Sequence, residues 1–137
     1  MLEQSPWFGL GGTNHFQDAL KEQAKQGRVS TKTAAQFGEP HNDVILMLAG
    51  YGLLGGIALV VVYIAPAVMF VRRFQLAEPD RVRAAAAMGL ALTLGFAIFG
   101  MTELMFRGMR TVGMYSAILA WLIALCAPPP AHKRQKD

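Results

Sequence analysis

Residues 44–71 read VILMLAGYGLLGGIALVVVYIAPAVMFV, 28 residues without a formal charge. A helix needs about 20 apolar residues to cross the roughly 30 Å hydrocarbon core of a bilayer, so this run can span with room to tilt or project. Asn42 or Asp43 is placed to cap its first turn. Pro66 falls near its far end, where lipid-embedded helices tolerate a kink. Arg72 and Arg73 stop the run.

Downstream, Glu78-Pro79-Asp80 forms the turn of a short loop over 74–83. A second uncharged run covers 84–102, and a third covers 111–131 with Pro128-Pro129-Pro130 ending its helix near Ala127. The pattern predicts transmembrane helices at about 44–71, 84–105 and 111–127, then a basic tail over 132–137. Gly52, Gly56, Gly89, Gly95 and Gly100 allow close helix contacts.

Upstream, residues 1–43 are a polar arm. Pro6-Trp7-Phe8-Gly9-Leu10-Gly11-Gly12 reads as a glycine-rich turn. Asn14 is placed to cap a helix over about His15–Gln26, closed by Gly27, with a narrow apolar stripe of Phe16, Ala19, Leu20 and Ala24. Residues 28–40 read as loop. The fold class is therefore an all-α integral membrane protein: three transmembrane helices over 44–131, preceded by an arm with one short amphipathic helix.

Charged residues make up 16% of the 137, against about 25% in soluble domains, and they cluster outside the apolar runs. The net charge of +4 comes from basic residues that flank those runs, which fits membrane topology and argues against nucleic acid as a partner. Residues 1–6 have neither the basic nor the apolar part of a secretory signal. Cys126 is the single cysteine, so the chain has no internal disulfide and no CxxC site, and no His, Cys and carboxylate set stands at metal-ligand spacing. The 72–83 loop and the tail share seven Lys and Arg, against Arg107 and Arg110 near the opposite surface. The loop and C-terminus are thus expected in the cytoplasm, and the arm outside it.

His41-Asn42-Asp43 stands at the outer end of the first run. A histidine there can accept a proton near neutral pH; equally, the three residues can simply cap and anchor a helix. Arg107 and Arg110, on the same side, offer bidentate donors suited to phosphate, or they snorkel. Glu103 precedes Arg107 by four residues, the favourable order for a helical ion pair, and that pairing is its expected role.

His41-Asn42, nine residues, then Gly52-Leu53-Leu54-Gly55 resembles the signature of the O-antigen ligase family. Ser5-Pro6-Trp7-Phe8-Gly9-Leu10-Gly11 resembles a segment of that family's large periplasmic loop. Tyr63-Ile64-Ala65-Pro66 with Phe70, and Phe99-Gly100-Met101-Thr102-Glu103-Leu104-Met105-Phe106, are also similar. The resemblance covers nearly the whole chain in order. It implies the C-terminal portion of a polytopic GT-C-like glycosyltransferase in the bacterial inner membrane, with a periplasmic arm and a cytoplasmic C-terminus. The implied reaction moves a glycan from undecaprenyl diphosphate to a sugar hydroxyl of lipid A–core. His41 would be the base, and Asn42, Arg107 and Arg110 would bind substrate. Gly9, Gly11, Gly52, Gly55 and Glu103 would belong to structural motifs. No cofactor is implied, because the leaving group is already a diphosphate. The same family includes O-antigen polymerases and protein O-oligosaccharyltransferases, and a non-enzymatic membrane module is the alternative of another class. Family members have about a dozen spans, so this chain is expected to need further N-terminal transmembrane helices of the same protein and to be inactive alone.

Overall fold

A computed structural model of the protein describes residues 5–77 and 79–127, and every regular element among them is helical. Glu78 of the expected turn, the proline stop and the basic tail lie outside the described residues. A short 3-10 turn at Thr13–His15 leads into α1 (Phe16–Lys25), followed by α2 (Thr31–Gln36), α3 (Asp43–Leu76), α4 (Asp80–Phe99) and α5 (Met109–Leu125).

The arm holds two helices where the sequence predicts one. Asn14 does not cap α1, which grows instead out of the 3-10 turn and ends as expected at Gly27, whose φ is 72°. α2 stands inside the segment read as loop. The hydroxyl of Ser30 accepts from the Thr33 amide at 3.0 Å and starts it. Its six residues, four polar and two alanines, carry no apolar period, so only the local cap announces this helix.

α3 and α4 are long and apolar enough to cross a bilayer. α5 is apolar but has 17 residues, about 25 Å of helix, short of the roughly 30 Å hydrocarbon core. α4 ends at Phe99 rather than near 105. Residues 100–108 form turns, because their amides are drawn to a partner outside the helix, as described below.

Helix α3 is not one rod. Gly52 inside it has φ 65° and ψ −155°, which breaks the helix into residues 43–51 and 53–76. In a straight α-helix Asp43 and Tyr63 would be about 30 Å apart. Here the Asp43 carboxylate and the Tyr63 hydroxyl lie 2.8 and 2.9 Å from the single point where a Cβ on Gly100 would sit. Two side chains cannot bridge 30 Å, so residues 43–51 fold back beside the later half. The crossing is tight: a Cβ on Gly55 would stand 2.5 Å from the Met47 carbonyl oxygen, and one on Gly56 2.7 Å from Leu48. Those glycines therefore pack within α3. Residues 53–76 alone still exceed the length of a span.

At one end of the helices Phe70, Val82, Ala85, Ala86, Leu122 and Cys126 form the core. Phe70 is wholly buried against Gly89, where any side chain would collide with its ring. Toward the other end Tyr63, Phe96, Phe106 and Tyr115 interlock, with centroid separations from 4.7 to 6.4 Å. Such packing ties Phe106 of the 100–108 turns to α3, α4 and α5.

Candidate functional site

The glycine-rich turn and the break in α3 are one structure. A break at Gly52 orphans two carbonyls and two amides that would have paired within the helix. The turn replaces each. Leu10 and Gly12 donate to the Ala49 and Gly50 carbonyls, both at 2.9 Å, while Leu53 and Leu54 donate to Pro6 and Trp7 carbonyls at 2.9 and 3.3 Å. The interlock leaves no room for side chains at its centre. A Cβ on Gly9 would lie 2.5 Å from the Ala49 oxygen, and one on Gly52 2.5 Å from the Trp7 carbonyl carbon. Both glycines also have positive φ. Gly11 needs glycine only for its φ of 78°, since open space surrounds it.

Residues 39–43 lie against the 100–107 segment. Glu39 pairs with Arg107. His41 Nδ1 faces Glu103 Oε2 at 3.4 Å, across 62 residues of chain. The Asn42 amide is engaged at both ends: its oxygen caps α3 by accepting from Ile45 N at 3.0 Å, and its nitrogen donates to the Met101 carbonyl at 2.8 Å. Asp43 is wholly buried and accepts from the Met105 and Phe106 amides at 3.0 and 3.2 Å, while its own amide donates to the Gly100 carbonyl at 2.7 Å. These bonds are the reason that α4 stops at Phe99. The Asp43 carboxylate offers amides 105 and 106 charge-assisted acceptors that compete with a further helical turn.

Several expected roles change. Glu103 does not pair with Arg107, because residues 103–107 are not helical; it faces His41, and Arg107 turns to Glu39. Asn42 is a brace, with both ends of its amide occupied by backbone. Arg110 is exposed at the start of α5 and makes no ion pair among the described residues. Glu39 and Asp43 carry the geometry, and sequence reading gave neither this task. Their partners lie more than sixty residues away, so no local spacing could reveal them.

The His41 side chain is 68% exposed, and its hydrogen-bond partner among the described residues is Glu103, on the Nδ1 side. Met47, Tyr51, Gly55, Leu59, Val62 and Phe106 line an open apolar groove of about 450 Å³, which meets the 100–107 segment at Phe106. Among the described residues no three His, Cys, Asp or Glu side chains gather as a metal-binding set. The arrangement can accept a proton at His41 Nε2, bind anions at guanidinium groups and receive an apolar chain alongside. In comparisons with known proteins, the chain matches no family model and no curated protein.

Proposed function

We propose that this chain is a catalytic segment of an O-antigen-ligase-type glycosyltransferase of the bacterial inner membrane. In this assignment α3 and α4 cross the membrane, α5 packs with them, and the arm and the mouth face the periplasm. The His41–Glu103 contact carries the assignment. It gives an exposed imidazole a carboxylate partner in a mouth that, with Asp43 close to Tyr63, is recessed below the α3 corner, where a lipid-borne donor would present its sugar. The interlock of Pro6–Gly12 with Gly52 supports it further. The segments that resemble the family are separate in sequence, yet they meet pairwise.

The proposed reaction follows from ordinary acid–base chemistry. With the Nδ1 proton directed at Glu103, the imidazole lone pair is on Nε2. The acceptor hydroxyl gives its proton to Nε2 as its oxygen bonds to the anomeric carbon of the donor. The bond from that carbon to the diphosphate oxygen breaks, and undecaprenyl diphosphate leaves with the electron pair. Glu103 stabilises the imidazolium that forms. Arg107 and Arg110 supply cations for the diphosphate. Arg107 shares its charge with Glu39, so Arg110 is the cation of the two without an ion-pair partner among the described residues. Asn42 and Asp43 fix the backbone on both sides of His41 and act as positioning residues.

Replacing His41 with Ala in the full-length protein tests the assignment by gel analysis of lipopolysaccharide. Loss of long O-chains from lipid A–core, with lipid-linked polymer accumulating, is expected. Normal lipopolysaccharide would rule out His41 as the base. Caps of a single repeat would point instead to a polymerase.

A further inference from the structure

We infer that Trp7 and Phe8 form an interfacial anchor that inserts into the outer headgroup–acyl boundary of the bilayer. The inference rests on reading α3 as a membrane span whose cytoplasmic limit is Arg72 and Arg73. From that limit the helix rises through residues 53–71, about 28 Å at 1.5 Å per residue, close to the roughly 30 Å of a hydrocarbon core. The Trp7 carbonyl holds the Leu54 amide at the top of this stretch, so the turn is fixed one hydrocarbon thickness above the arginine pair.

At that level Trp7 and Phe8 are 56% and 67% exposed, although four backbone bonds hold their turn to the α3 corner. Rigid turns on a water-facing surface do not need two large aromatics pointing outward. Around them Tyr51, Leu53, Leu54 and Ile57 are also exposed, so the aromatics continue the apolar flank of α3 instead of standing alone. The backbone bonds matter for the same reason. Irregular backbone survives next to lipid only where its amides and carbonyls are paired, and the interlock pairs Pro6, Trp7, Leu10 and Gly12 with the broken helix. Tryptophan has the amphipathic ring that favours headgroup depth. Anchoring there would hold the corner, and with it the groove at Met47 and Tyr51, at the lipid boundary.

Fluorescence quenching tests the inference on the full chain in phosphatidylethanolamine–phosphatidylglycerol vesicles. Trp121→Phe leaves Trp7 as the single tryptophan, and Trp7→Phe leaves Trp121 as the reference. Phosphatidylcholine brominated near the headgroup end of its acyl chains is expected to quench Trp7 about twofold more than lipid brominated near the chain terminus, as headgroup-level rings require. Strong quenching of Trp7 by aqueous acrylamide and none by brominated lipid, with Trp121 still quenched by lipid, would overturn the anchor and leave the membrane span standing. Quenching of Trp7 by neither reagent, with Trp121 again quenched by lipid, would overturn it in favour of protein covering the turn. Lipid quenching of neither tryptophan would remove the membrane assignment as well.

Discussion

The Tyr115 hydroxyl donates to the Val62 carbonyl at 3.2 Å, and Val62 stands four residues before Pro66 inside α3. Proline has no amide hydrogen, so position 66 cannot satisfy the carbonyl at 62. Tyr115, itself buried, delivers the missing donor from α5. One bond thus repairs the helix and ties α5 to it. Tyr115→Phe is expected to cost about 1–2 kcal/mol by leaving a carbonyl unpaired away from water. In a Pro66→Ala background the amide at 66 can return, and the same change should cost less than about 0.5 kcal/mol. Unfolding titrations of the four proteins in detergent give the cycle; additive costs would show that the two sites are not coupled.

Gly52→Ala is expected to destabilise the protein by more than about 3 kcal/mol. It forces a positive φ, which costs about 1–2 kcal/mol, and drives a methyl into the Trp7–Phe8 backbone, breaking bonds of the interlock. Gly11→Ala meets only the φ penalty, so it should cost about 1–2 kcal/mol. Chymotrypsin cleavage after Trp7 or Phe8 reports release of the turn. It should accelerate in Gly52→Ala and change little in Gly11→Ala.

Asp43→Asn removes the charge that organises the 100–107 segment. One of the two backbone donors then faces an amide group that cannot accept. The expected loss is about 1.5–3 kcal/mol, the range for hydrogen bonds to charged groups. Amide hydrogen exchange at Met105 and Phe106 should quicken by more than about tenfold, corresponding to at least 1.4 kcal/mol. Unchanged protection at both amides would show that something else holds the segment.

Glu103→Gln keeps the shape beside His41 and removes the carboxylate. Glycan transfer by the full-length protein should fall by about 10- to 1000-fold, in kcat more than in KM, because the imidazolium is most in need of its partner in the transition state. A rate equal to that of the parent would separate Glu103 from the chemistry.

Glu39→Gln is expected to change stability by less than about 1 kcal/mol, since the Glu39–Arg107 pair is partly exposed. A thermal melt measures this. If Arg107 contacts donor diphosphate, Arg107→Ala should lower transfer with an equally small effect on the melt.

The helices were largely legible in the sequence. The uncharged runs mark α3, α4 and α5, Asn42 caps α3 as its position implies, and Gly27 closes α1. The site was legible as a set of residues but not as a set of pairs. Drawn as helix, the segment pairs position 103 with 107. The pairing changed because Asp43, 62 residues away in sequence, draws off the amide of Met105. α2 is not legible from its sequence, because its signal is a single serine cap.

Hydropathy and capping are local properties, and they determined that the chain is helical, where its apolar runs lie and which ends carry charge. The fold of residues 44–71 was decided only in three dimensions. A run of apolar residues has the same hydropathy whether it is one rod or two halves bent at a glycine. Choosing between them required the orphaned backbone groups at the bend to find partners, and those partners came from a turn some forty residues upstream. The facing of His41 and Glu103 was likewise set by contacts between distant segments, which no window of sequence contains.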